Sequence, residues 1–150
     1  MSLRHLKHMP HVVAVMTPFP YSVDIDATLA EADAMMREHR IRHLPVKDQG
    51  QLVSVLSERD IKVALEPANG ALAASRVTVR HACVIDAYIV PTTAPLDQVL
   101  LDMYERHIGS ALVVKGGRLA GIFTASDACR YLGELLRAQF PPPGDGDDAA

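Results

Sequence analysis

Apolar residues recur along this chain at two spacings, and the order in which those spacings alternate is run through twice. Tyr21 to Ile25 alternates apolar and polar like a short strand. Asp26-Ala27-Thr28 then opens a helix in which Leu29, Ala32, Met35, Met36 and His39 follow at helical spacing. Thr28 with Glu31 three residues on predicts a capping box at its start. Leu44-Pro45-Val46 and Gln51 to Leu56 predict two strands joined by Asp48-Gln49-Gly50, a hairpin signal. Ser57-Glu58-Arg59-Asp60 caps the next helix, Glu58 to Leu65. Ahead of all this stand a polar lead-in stopped by Pro10, a short apolar segment from Val12 to Met16, and a turn at Thr17-Pro18-Phe19-Pro20.

The same sequence of events then restarts. Tyr21 recurs as Tyr88, Leu29 as Leu96, Met36 as Met103, Val46 as Val113, Gly50 as Gly117 and Asp60 as Asp127, always 67 residues apart and without a gap from Val12/Val79 onward. Agreement over such a span marks an internal duplication of a β-α-β-β-α unit. The expected layout is a lead-in (1–11), repeat one (12–66), a linker (67–78), repeat two (79–138) and a disordered acidic tail (139–150) carrying Pro141-Pro142-Pro143-Gly144-Asp145. One half cannot bury its apolar side alone. An α+β pair packed through its sheets about a pseudo-two-fold axis can, and it sets two related clefts at the seam.

Within each repeat a strand runs straight into a helix. In repeat two, Leu119 to Phe123 leads through Thr124 into a helix from Ser126 to about Arg137, with Asp127 in its first turn. Such a junction offers free backbone N–H groups, the positive end of a helix dipole, a hydroxyl and a carboxylate. The first two suit a phosphate, and the carboxylate can accept hydrogen bonds from vicinal sugar hydroxyls. The same residues also serve as ordinary helix caps.

Composition narrows the classes. The chain has 150 residues, 49% of them hydrophobic, which supports a real core. A net charge of −3 with both signs mixed argues against a nucleic-acid surface. No apolar run approaches the length of a bilayer span, and no signal-peptide pattern follows Met1, so the cytosol is the expected compartment. Cys83 and Cys129 are read as reduced core residues. His5, His8 and His11 recur at three-residue intervals, but Pro10 interrupts any helix that would align them, and no metal site is expected. No nucleophile elbow, His-Glu-x-x-His or Walker glycine loop occurs, so no enzyme is expected.

In order and twice over, these motifs resemble a tandem CBS-domain protein, a Bateman module. The resemblance rests on Val15-Met16-Thr17-Pro18, Asp26-Ala27-Thr28-Leu29-Ala30-Glu31-Ala32, His43-Leu44-Pro45-Val46 and Leu56-Ser57-Glu58-Arg59-Asp60 in repeat one, and on Gly121-Ile122-Phe123-Thr124-Ala125-Ser126-Asp127 in repeat two. It implies a regulatory module binding AMP, ADP, ATP or S-adenosylmethionine, with no required cofactor. By that resemblance Asp127 and Asp60 are ribose anchors, and Thr124 and Ser57 lie at phosphate. Pro20, Tyr21, Ala87 and Tyr88 border the adenine, largely through backbone, and Arg42 and His43 meet phosphates. It also implies a homodimer formed through helices of both repeats, and an unidentified regulated protein on another chain. The halves differ: repeat one has Ser54 where repeat two has Gly121, and repeat two has Gly109-Ser110 in place of Arg42-His43. Asp86 would repel phosphate if it faced its cleft, so unequal sites are expected, with Thr124/Asp127 favoured. The competing readings are an empty interaction module and a small enzyme acting on a nucleotide.

Overall fold

The computed structural model describes residues 7–18, 21–66, 74–83 and 87–144. A 3-10 turn (Val12–Ala14) leads into β1 (Thr17–Pro18), β2 (Val23–Asp24), α1 (Leu29–His39), β3 (His43–Asp48), β4 (Gln51–Ser57) and α2 (Glu58–Leu65). The second half follows as α3 (Val79–Ala82), β5 (Ile89–Pro91), α4 (Leu96–Glu105), β6 (Ser110–Lys115), β7 (Arg118–Thr124) and α5 (Ala125–Gln139). The fold is α+β with two sheets, ordered β2-β3-β4 and β1-β7-β6-β5.

Local chemistry explains most elements. Thr28 and Glu31 form the capping box, whereas α4 starts at Pro95 with no side-chain cap. Each hairpin turns on two residues with positive φ, Gln49 and Gly50 in one and Gly116 and Gly117 in the other, the backbone of a two-residue type I′ turn. Pro45 is tolerated in the middle strand because β2 pairs only with Val46 and Lys47, leaving β3 an edge at Pro45 on that side.

The repeats match in register as well as in sequence. Val23 pairs with Val46 and Val90 with Val113, and both hairpins shift register at the equivalent place, Val46/Lys47 and Val113/Val114. The packing units, however, are not the sequence repeats. One core holds Leu29, Met36, Leu44, Val46, Leu56 and Ile61 together with Val79 from the opening of repeat two. The other holds Leu96, Val99, Met103, Val113 and Phe123 together with Val12 and Val15 from the opening of repeat one. The exchange is held by equivalent backbone bonds: Val12 N–H donates to the Ala94 carbonyl and Val79 N–H to that of Ala27, each at 2.8 Å. Leu96 N–H likewise donates to the Pro10 carbonyl (2.9 Å), and Leu29 N–H to that of Val77 (2.8 Å).

Four expectations need correction. Thr17-Pro18, expected as part of a turn, forms strand β1, because it pairs with Ile122 and Gly121 of β7. Tyr21 to Ile25 yields a strand of only two residues, because β2 has partners only at Val46 and Lys47. The last helix starts one residue earlier, at Ala125, and runs to Gln139, inside the segment expected to be tail; 145–150 lie outside the described residues. Cys129 is exposed, not core, because α5 has no buried residue; Cys83 is half-buried, and both are free thiols. Among the described residues no helix is long and apolar enough to cross a membrane.

Candidate functional site

Both strand-to-helix junctions are built alike. Ser57 and Thr124 leave their strands in extended conformation (φ −101° and −118°) and cap the helix that follows. Ser57 N–H donates to Asp60 Oδ2 (2.8 Å) while Asp60 N–H donates to Ser57 Oγ (3.0 Å). Thr124 N–H donates to Asp127 Oδ2 (2.9 Å), and Asp127 N–H returns to Thr124 Oγ1 (3.3 Å). The capping role is therefore real at both, with a helix dipole behind it.

Tertiary packing separates them. A cleft of about 660 Å³ opens beside the repeat-two junction and is lined there by Ile122, Thr124, Ser126 and Asp127. Repeat one supplies Thr17, Pro18 and Tyr21 from its opening, and Arg40, Ile41, Arg42 and His43 from the turn between α1 and β3. This volume is in the range of small-molecule sites. The lining combines apolar and aromatic surface from Pro18, Tyr21, Ile41 and Ile122 with two guanidiniums and a carboxylate at a helix start.

Individual side chains carry the detail. The Tyr21 ring is stacked on His39, centroids 3.5 Å apart and 11° from parallel, and is 52% exposed. Asp127 commits Oδ2 to Thr124, and its Oδ1 makes no hydrogen bond within the described residues. Arg42 comes no nearer than 3.9 Å to Glu58, a solvated pair of little worth. His43 is held below its ordinary pKa mainly by burial, with Asp60 raising it and Arg42 lowering it. Its ring sits against Gly109: a Cβ there would come 3.2 Å from His43 Nε2. The Gly109 found in place of an arginine thus admits the imidazole at the seam.

Gly121 has a similar explanation. Pro18 pairs with it across β1 and β7, and a Cβ at 121 would lie 2.5 Å from Met16 Sδ and 2.6 Å from the Thr17 carbonyl oxygen. The exchanged strand β1, which forms one wall of the cleft, requires glycine there.

The other expected site residues fall elsewhere. Ser57, Asp60, Ala87 and Tyr88 do not line this cleft. The Tyr88 hydroxyl donates to Asp102 Oδ2 (2.7 Å) and Arg106 lies over its ring at 4.7 Å; burial, then that hydrogen bond, pushes the phenol up to about 12. Pro20 and Asp86 lie outside the described residues. Sequence reasoning missed Arg40, Ile41, Ser126 and the wall from Thr17 and Pro18. Arg40 carried one signal: it follows the last turn of α1, and it adopts a left-handed conformation (φ 54°) there, as His107 does in repeat two.

A duplicated α+β unit with exchanged openings and a ligand-sized cleft at the seam defines a tandem-repeat α+β module. The chain belongs to the CBS-domain family: the family's model matches residues 12–67 and 79–134. Hypoxic response protein 1 of Mycobacterium tuberculosis is 32% identical over 114 residues, 75% of this chain and 78% of that protein. Among solved structures, AcuB from Vibrio cholerae superimposes with a TM-score of 0.76 at 29% identity, covering 91% of this chain and all (100%) of that one. The CBS domain pair of protein MJ0100, solved with 5′-methylthioadenosine and S-adenosyl-L-methionine, gives 0.71 at 26% identity, covering 84% and 98%.

Proposed function

We propose that this chain is a regulatory module that binds an adenine nucleotide (AMP, ADP or ATP) in the cleft between its repeats. One observation carries the proposal: a single cleft draws Thr124 and Asp127 from repeat two and Arg40, Arg42 and His43 from repeat one. A ligand there touches both halves, so it is placed to sense how they are packed. The apolar lining suits a purine, stacked near Tyr21 and Pro18. Asp127 Oδ1 accepts from the ribose hydroxyls, and the guanidiniums with the N-terminus of α5 take the phosphates. Ser57, Asp60, Ala87 and Tyr88 would serve the related second junction.

The nucleotide is a signal, not a substrate, and the chain acts in the cytoplasm as a homodimer that reports to a separate protein. That output requires the ligand to favour one arrangement of the repeats over another. A second reading, S-adenosylmethionine or 5′-methylthioadenosine, has support from the ligands in the MJ0100 crystal. The cleft's two guanidiniums disfavour the sulfonium of S-adenosylmethionine, gain nothing from neutral 5′-methylthioadenosine, and favour phosphate, which puts nucleotides first.

Calorimetric and thermal-shift titrations with AMP, ADP, ATP, S-adenosylmethionine and 5′-methylthioadenosine test this. A binding nucleotide at 100 times its Kd adds about 2.7 kcal/mol of stability. No heat and no shift with any of the three nucleotides overturns the proposal, and silence from all five ligands leaves the interaction-module reading.

A further inference from the structure

Tyr21 enters the cleft as a ring with one face already covered. His39, the last residue of α1, lies flat against it, centroids 3.5 Å apart and 11° from parallel. Tyr21 lines the cleft and His39 does not. With the imidazole on one side and 52% of the residue still exposed, the face turned away from His39 is open. Hydrogen bonding does not fix the ring. Tyr21 stands outside β2, and its hydroxyl has no hydrogen-bond partner within the described residues.

Repeat two backs its equivalent ring from the equivalent position. Tyr88 follows Tyr21, and Arg106 follows His39, by the same 67 residues, and the Arg106 guanidinium lies over the Tyr88 ring at 4.7 Å. Tyr88 has a second tether, its hydroxyl on Asp102 (2.7 Å), where repeat one has Met35 and so no such acceptor. The backing contact therefore recurs in both repeats, but in repeat one it stands without the hydroxyl tether. His39 is suited to the task. Its side chain is only 24% exposed, and α1 ends directly after it at left-handed Arg40, so the imidazole is carried on a fixed helix end.

We propose that His39 is a positioning residue for base selection: it holds the Tyr21 ring as a platform whose open face takes a purine in preference to a pyrimidine. A base seated there extends the pile of imidazole and phenol by one more flat group. Stacking needs only a π face, and the fused rings of a purine overlap more of the phenol than the single ring of a pyrimidine does. Choice between base classes then depends on overlap, and so on how firmly the phenol is held. Arg40 and Arg42 line the same cleft but can meet only what all nucleoside triphosphates share, the phosphates. This rests on the nucleotide reading above and goes beyond it by assigning base selection to a residue that does not line the cleft.

The test is calorimetric titration of the full chain with ATP and with UTP. The wild type is expected to bind ATP about tenfold more tightly than UTP, in line with the worth of one base–aromatic stack. His39→Ala is expected to weaken ATP binding about tenfold and UTP binding little, so that the preference collapses, and His39→Phe, which restores a flat partner, is expected to recover it. Tyr21→Ala, which removes the platform and leaves α1 untouched, should show the same collapse, and Tyr21→Phe none. A merely structural role for His39 would lower both affinities together. A preference that survives His39→Ala, equal losses for ATP and UTP, or no recovery in His39→Phe overturns the assignment and leaves the nucleotide reading standing. So does a wild type that binds ATP and UTP equally. A wild type that binds neither overturns the nucleotide reading and this one with it.

Discussion

Asp127 holds Thr124 with one carboxylate oxygen and leaves the other without a hydrogen bond among the described residues. Oδ2 accepts from both the backbone N–H (2.9 Å) and the hydroxyl (3.0 Å) of Thr124, while Oδ1 has no partner within the described residues. One side chain can therefore cap the helix and, on the proposed reading, still accept from a ligand. Asp127→Ala is expected to lower stability by about 1 kcal/mol, the usual worth of a cap. It should also weaken nucleotide binding about tenfold or more, because a hydrogen bond to a charged group is worth about 1.5–3 kcal/mol. Asp60→Ala removes the equivalent cap away from this cleft and should cost stability without that loss of affinity. Calorimetry on both variants decides, and equal affinities for the two would remove Asp127 from the site.

Gly121 marks the crossing of the exchanged strand. The Thr17 carbonyl oxygen that faces it belongs to backbone and cannot rotate aside as a side chain does. Gly121→Ala should therefore displace β1 and cost about 1–3 kcal/mol, the range for overpacking. Urea denaturation measures it, and a midpoint unchanged from wild type would show that β1 is not seated there.

The lowered pKa of His43 gives a pH signature. The unfolded chain takes up the proton near the ordinary value of about 6.5, the folded chain only below it. Between those two values the unfolded state binds more protons, so stability falls as pH drops below about 6.5 and levels off beneath the folded pKa. A bound phosphate favours the imidazolium, so affinity should rise over the same window. Melting and titration from about pH 7.5 to 5, compared with His43→Gln, check both slopes. Identical slopes in the variant would clear His43 of either role.

Arg40 and Arg42 should discriminate among ligands by charge. Replacing both with alanine is expected to weaken ATP binding about tenfold or more at low salt while changing adenosine binding little, since the lost contacts are charge-assisted ones to phosphate. Equal losses for ATP and adenosine would place the arginines on packing duty instead.

Much of this architecture was legible because it is local. The Thr28/Glu31 box, the hairpin at Gln49-Gly50 and the caps at Ser57 and Thr124 depend on residues within four positions of one another. Met36 and Met103 packed as expected because a helix with one apolar face has one way to bury it. Cys129 was misread for the same reason: α5 has an apolar face too, but nothing among the described residues lies against much of it.

The sequence by itself determined the duplication, the caps at Thr28, Ser57 and Thr124, and the family, since a constant offset of 67 residues is visible without coordinates. Only the tertiary structure decided that the openings change places, that Val12 and Val79 sit in each other's half, and that the described cleft joins Asp127 to Arg42. Those contacts join residues far apart in the chain. Their strength depends on which surfaces meet, and periodicity, which records only how a segment faces inward or outward, carries no mark of the partner it will meet.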